Sequence, residues 1–148
     1  MASKRRLDPT TYLRSIRHFM LDLDGVVYRG DQPIPDARLA INALERDGKK
    51  ILYLTNNSTL SRGQYAKKLR SFGIVAEPEQ IVTSGFATAR LLQSRRRKLR
   101  IFAIGEEGLA EELRLAGLTL IDEESPERAD AVVVGLDRGF NYRKLAQA

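Results

Sequence analysis

Asp22 and Asp24 stand one residue apart, at the end of the apolar run Phe19-Met20-Leu21, and Gly25 follows at once. The pattern reads as a strand that delivers two carboxylates to its C-terminal tip, where the chain must turn. Carboxylates at the end of a buried strand need compensation, because an unpaired charge away from water is costly. In open α/β sheets that tip is also where ligands bind. Such a pair can hold a hard divalent cation through oxygen. One carboxylate can attack phosphorus to give an aspartyl-phosphate, and the other can serve as general acid and base. A second polar group, Thr55-Asn56-Asn57-Ser58, closes the apolar run Lys50–Leu54 and offers a hydroxyl and amide donors.

The elements that must position these groups alternate between strand and helix. After Phe19–Leu23, Gly25, Gly30, Pro33 and Pro35 mark an extended loop. Ala37, Ala40, Ile41 and Leu44 follow i, i+3, i+4, i+7 spacing, so an amphipathic helix is predicted, ended by Gly48. Lys50–Leu54 is the second strand. Ser61 is placed to cap a helix with Tyr65, Leu69 and Phe72 on one face and Gly73 at its end. A strand near Ile81–Val82 leads through Thr83-Ser84-Gly85 into a helix reaching Ser94. Leu99–Ile104 is a strand, Glu106–Ala116 a helix stopped by Gly117, and Leu118–Ile121 a short strand. Ala131–Val134 is fully apolar and is expected to be buried, and Asn141 caps a last helix. This β–α alternation predicts a doubly wound parallel sheet.

One helix joins the first two strands, so they form a right-handed βαβ unit with parallel strands. Their tips then lie on one edge of the sheet, which brings Asp22 and Asp24 towards Thr55, Asn56 and Asn57. Gly25 permits close backbone approach. A cation held there would bridge to a phosphate whose oxygens the Thr55 hydroxyl and nearby N–H groups bind.

Asp22-Leu23-Asp24-Gly25-Val26-Val27-Tyr28 with Thr55-Asn56-Asn57-Ser58 resembles the first two motifs of the haloacid dehalogenase-like phosphohydrolases, class IIA branch. Thr83-Ser84-Gly85, Gly105-Glu106-Glu107-Gly108-Leu109, Glu112-Leu113, Ala116-Gly117 and Val132-Val133-Val134-Gly135-Leu136-Asp137 resemble the start of that branch's inserted α/β cap. The branch includes p-nitrophenylphosphatases, phosphoglycolate phosphatases and sugar-phosphate phosphatases. The resemblance implies a Rossmann-like core with an incomplete cap. It divides the chain into a basic extension (1–17), the first part of the core (18–84) and the first part of the cap (85–148).

By the same resemblance Asp22 is the nucleophile and a ligand of Mg2+. Asp24 is the acid/base, and its carbonyl is a second metal ligand. Thr55 and Asn56 bind the phosphoryl group, with Asn57 and Gly25 beside them. Residues 25–30 form a hairpin that opens and closes the site, and the cap selects the leaving group. Asn57 and Ser58 suit a turn or a helix cap as well as ligand contact. Tyr28 and Arg29 fit either substrate contact or an exposed hairpin tip.

Two further motifs of the family, a lysine and an acidic pair completing the metal site, have no counterpart among these residues. Lys49 and Lys50 lie at the start of the second strand, Lys67 and Lys68 lie on a helix, and Lys144 lies in the cap. The expectation is therefore a magnesium-dependent phosphatase of small phosphate monoesters, present as a truncated chain of low activity alone. Its first strand would form an exposed apolar edge. The alternative is a non-catalytic phosphate-binding or association module. Association of copies through the cap stays open.

Composition narrows the classes. Apolar residues make up 43% of the chain, enough for a core, and no apolar run approaches a membrane span. The N-terminus lacks the apolar stretch of a secretory signal. The absence of cysteine removes disulfides and thiolate metal sites, and fits a cytoplasmic protein. The net charge of +6 invites anionic partners. The densest basic run, Arg95-Arg96-Arg97-Lys98, reads as a solvated helix end favoured by the macrodipole. No aromatic-rich segment accompanies it, so a small phosphorylated metabolite, rather than nucleic acid, is the expected partner.

Overall fold

The computed structural model describes residues 12, 14–95, 98–122 and 127–148. Most of the basic extension, Arg96 and Arg97 of the basic run, and residues 123–126 of the polar loop lie outside the described residues. The chain divides into two compact units, one up to Tyr53 and one from Leu54 onward. No helix among the described residues is long and apolar enough to cross a membrane.

The first unit contains β1 (His18–Asp22), the hairpin β2 (Tyr28–Arg29) and β3 (Gln32–Pro33), α1 (Ala37–Arg46) and the start of β4 (Lys50–Thr55). β1 and β4 are sheet neighbours. The Lys50 N–H donates to the Arg17 carbonyl at 2.9 Å, so the two strands start side by side and run the same way. Lys49 ties down the entry by donating to the carbonyls of Arg14 and Ile16, both at 2.7 Å. α1 carries Ile41 into the core, and Gly48 ends it at a φ of 71°, a left-handed conformation that favours glycine.

β1 is less buried than its composition predicts. It lies at the edge of the sheet order β1-β4-β5, and Met20 is 71% exposed. The exposed apolar edge expected for this strand is thus present among the described residues.

The second unit begins with the tip of β4. It continues through α2 (Arg62–Ser71), a 3-10 turn at Pro78–Gln80, β5 (Ile81–Thr83), α3 (Ser84–Gln93), β6 (Arg100–Ile104), α4 (Glu107–Leu115), β7 (Thr119–Ile121), β8 (Ala131–Val134) and α5 (Tyr142–Gln147). The helix signals in the sequence act as read. Ser61 caps α2 in a capping box with Gln64, and Asn141 caps α5 by accepting from the Lys144 N–H. β6 pairs in parallel with β7 on one side and β8 on the other, with Phe102 opposite Ile121 and Val132.

One face of that sheet, through Ile101 and Val133, packs on α3 and α4, where Ala89, Leu109 and Leu113 complete a core. The expectation that β8 is buried throughout does not hold: Val132 is 41% and Val134 68% exposed. β8 is an edge strand, and alternate residues of a strand face opposite ways. Only Ala131 and Val133 therefore face the helices.

α2 and α4 are joined by a buried charge pair. Glu112 is 2% exposed on α4. It accepts from the Arg62 backbone N–H at 2.7 Å and from the Arg62 guanidinium at 3.1 and 3.2 Å. The carboxylate thus serves both the side chain and the N-terminal dipole of α2. The same guanidinium stacks 3.8 Å from the centre of the Phe86 ring on α3.

Removing one partner of a buried pair strands the other charge. Glu112→Ala is expected to lower unfolding stability by about 3–5 kcal/mol. Glu107→Ala, which breaks only the exposed Arg114–Glu107 pair, should cost under ~1 kcal/mol. Urea unfolding followed by circular dichroism checks both.

Candidate active site

The first group of candidate residues lies at the end of β1. Alternation along an extended chain puts Asp22 and Asp24 on one side with Leu23 between them on the other. Leu23 is wholly buried, whereas both aspartates are exposed. The Leu23 carbonyl accepts from Val26, Val27 and Tyr28 at 3.3, 2.8 and 3.2 Å, and Gly25 donates to the Tyr28 carbonyl at 2.6 Å. This closes a turn that needs Gly25 at a φ of 86°. Asp22 accepts from the Leu23 N–H through Oδ1 at 2.9 Å, which fixes its carboxylate.

The turn launches the hairpin, with Tyr28 opposite Pro33 and Arg29 opposite Gln32. Val27 and Tyr28 are buried under it, so Tyr28 is not at an exposed tip. Arg29 is exposed.

These donors suit a hard cation. Both side chains offer oxygen, and among the described residues no cluster of three or more His, Cys, Asp or Glu forms. An oxygen-only donor set of this kind fits a hard divalent cation.

The second group of candidate residues lies in the loop after β4. Thr55 is buried, and its Oγ1 accepts from the Asn57 N–H at 3.2 Å, leaving the hydroxyl proton to be donated elsewhere. Asn56 is exposed, and its carbonyl accepts from the Ser84 hydroxyl at 2.7 Å. Asn57 shapes the loop. Its Oδ1 accepts from the Thr59 N–H at 2.9 Å, and its carbonyl from the Tyr65 hydroxyl at 3.3 Å. Ser58 is buried rather than capping a helix, the cap falling to Ser61.

The loop is closely embraced by elements far along the chain. Gly108 donates to the Thr59 carbonyl at 3.1 Å, and a Cβ at position 108 would land on the Leu60 backbone. A Cβ at position 135 would come within 2.5 Å of the Ser58 hydroxyl.

Two ion pairs that the sequence reading missed fix the tips of β6 and β8. Arg138 donates to Glu106 through Nε and a terminal nitrogen, each at 2.6 Å. Lys144 donates to Asp137 at 2.7 Å, with Asp137 nearly buried. The only sequence signal was an Arg and a Lys each able to reach an acid after a strand end, too common a pattern to single out.

Hydrogen bonds from Arg138 pull the Glu106 carboxyl down from its ordinary 4.5 to about 2. A carboxyl lowered in the folded state contributes stability above its ordinary value and loses it as the pH falls through the lowered one. The pair should therefore persist at pH 4.5 and open towards pH 2. Carboxyl carbon NMR should find Glu106 titrating near 2, and back in the ordinary carboxylate range in Arg138→Gln.

The family model described as haloacid dehalogenase-like hydrolase matches residues 19–119. The sugar-phosphatase AraL of Bacillus subtilis is 42% identical over 87% of this chain and 47% of its own length. The structure of a p-nitrophenyl phosphatase from Archaeoglobus fulgidus superposes with a TM-score of 0.81 at 37% identity, covering 89% of this chain and 49% of that one. A glycerol phosphate phosphatase from Mycobacterium tuberculosis, solved in complex with magnesium, superposes with a TM-score of 0.77 at 32% identity, covering 89% of this chain and 40% of that one. The chain thus spans about half the length of the curated relatives it matches. With a family match over most of its length and class IIA phosphatases among its relatives and structural neighbours, the chain belongs to the haloacid dehalogenase-like hydrolases.

Proposed function

We propose that these residues form one half of a magnesium-dependent phosphatase site for small phosphate monoesters. Asp22 and Asp24 act there on a phosphoryl group held by Thr55 and Asn56, beside Gly25 and Asn57. The observation that carries the reading is the pair of exposed carboxylates flanking the buried Leu23. It is supported by the common direction of β1 and β4 and by phosphatases among the relatives. Residues 18–84 would then belong to the core and 85–148 to the cap that selects the leaving group. A cytoplasmic setting and a phosphorylated metabolite as substrate are part of the same proposal.

In this mechanism an Asp22 carboxylate oxygen attacks phosphorus, and the bond from phosphorus to the ester oxygen breaks. Asp24, protonated, gives its proton to the departing alkoxide. It then takes a proton from water as that water attacks the aspartyl-phosphate. The Asp22–phosphorus bond breaks, phosphate leaves, and Asp22 and Asp24 return to their starting states. The Asp22 carboxylate and the Asp24 carbonyl would hold the magnesium ion. When bound, the ion neutralises phosphoryl charge and lowers the barrier to attack by an anion. Thr55 donates its hydroxyl proton to a phosphoryl oxygen and Asn56 its side-chain or backbone N–H, in positions fixed before the reaction.

These 148 residues alone are expected to turn over slowly, since the relatives are about twice as long. Hydrolysis of p-nitrophenyl phosphate should be detectable, should stop on chelation of magnesium, and should vanish in Asp22→Asn. Asp24→Asn should cost about 10²–10⁴-fold, the usual contribution of general acid–base catalysis. Specific binding of inorganic phosphate with no turnover that depends on Asp22 would instead favour a non-catalytic phosphate-binding module.

A further inference from the structure

Ser84 is the first residue of α3, one place after the N-cap position where a hydroxyl ordinarily serves the helix N-terminus. That duty is already met by the preceding residue. Thr83, 1% exposed, accepts from the Phe86 N–H at 3.0 Å. The Ser84 hydroxyl donates instead to the Asn56 carbonyl at 2.7 Å, across 28 residues of sequence. On the other side of the same peptide plane, the Asn57 N–H donates to Thr55 Oγ1. The peptide between Asn56 and Asn57 is thereby held at both its polar groups.

The approach is also sterically set. A Cβ at the neighbouring Gly85 would sit in ordinary contact with Leu109 at 3.4 Å and with Ser58 at 3.7 Å. The backbone beside Ser84 therefore already lies against the loop.

We infer that Ser84 is a positioning residue for the phosphoryl-binding loop. By fixing the Asn56–Asn57 peptide, it presents Asn56 to the phosphoryl oxygens before substrate arrives. The inference rests on the reading of Thr55–Asn57 as the phosphoryl-binding segment. A loop ordered in advance loses less conformational entropy on binding and is aimed at the transition state at no further cost. The effect should appear in phosphate affinity and loop order, with only the small stability loss of one hydrogen bond, because α3 keeps its Thr83 cap.

The test uses the full chain, nitrogen-15 labelled, titrated with inorganic phosphate in the presence of magnesium. The Thr55 and Asn56 amides should shift in the wild type. Ser84→Ala should weaken the dissociation constant by about three- to tenfold, the value of one net hydrogen bond. It should also speed exchange of the Asn57 amide proton, with no larger fall in the thermal midpoint than the loss of one hydrogen bond gives. Ser84→Thr, which keeps the hydroxyl, should restore both. Wild-type binding together with unchanged affinity and unchanged Asn57 exchange in Ser84→Ala overturns the role of Ser84 alone. A wild-type chain whose Thr55 and Asn56 amides ignore phosphate overturns the phosphoryl-binding reading and the role of Ser84 with it.

Discussion

The carbonyl of Leu23 is the point on which the end of β1 turns. It accepts from three successive backbone N–H groups while its side chain is wholly buried. Buried backbone polar groups must be paired, and here a strand ends, two charges leave for solvent and a hairpin begins within a few residues. Collecting the amides of Val26, Val27 and Tyr28 on one oxygen satisfies them where no ladder remains. That geometry forces Gly25 into the left-handed region. The carboxylates of Asp22 and Asp24 are then spaced by the pleat and not by side-chain flexibility, which suits a pair with divided labour.

The loop after β4 meets the same constraint differently. It pairs its groups with residues brought from later in the chain. Tyr65 takes the Asn57 carbonyl, Ser84 that of Asn56, and Gly108 that of Thr59. Close approach to the Leu60 backbone leaves no room for a side chain at Gly108, and one at Gly135 would have to displace the Ser58 hydroxyl. The Arg62–Glu112 pair adds a buried electrostatic tie between α2 and α4. Residues 85–148, which the family resemblance assigns to the first part of the cap, thus supply structural support to the loop that precedes them.

Local signals were legible in the sequence, and signals that depend on distant partners were not. Ser61, Asn141, Gly48, Gly73 and Gly117 could be read because a cap or a left-handed turn is decided by a few neighbouring residues. The exposed position of Asp22 and Asp24 at the end of β1 could be read because acids ending an apolar run are rare. Val134 misled, since exposure of an apolar strand depends on whether it lies at a sheet edge. Glu112 was opaque for the opposite reason. An acid within a helix reads as a solvated residue, and its partner Arg62 lies 50 residues away. Ser84 looked like an ordinary βα turn residue, and only its contact with Asn56 reveals another use.

The central claim is that Asp22 is the group that takes the phosphoryl group. It is tested most directly by incubating the chain carrying Asp24→Asn with acetyl phosphate and magnesium and mapping the product by peptide mass spectrometry. In that variant no acid/base remains to speed hydrolysis, so the acyl phosphate should accumulate. The account predicts one added phosphoryl group, on Asp22. A phosphoryl group on any other residue, or none under conditions where phosphate binds the loop, would contradict it.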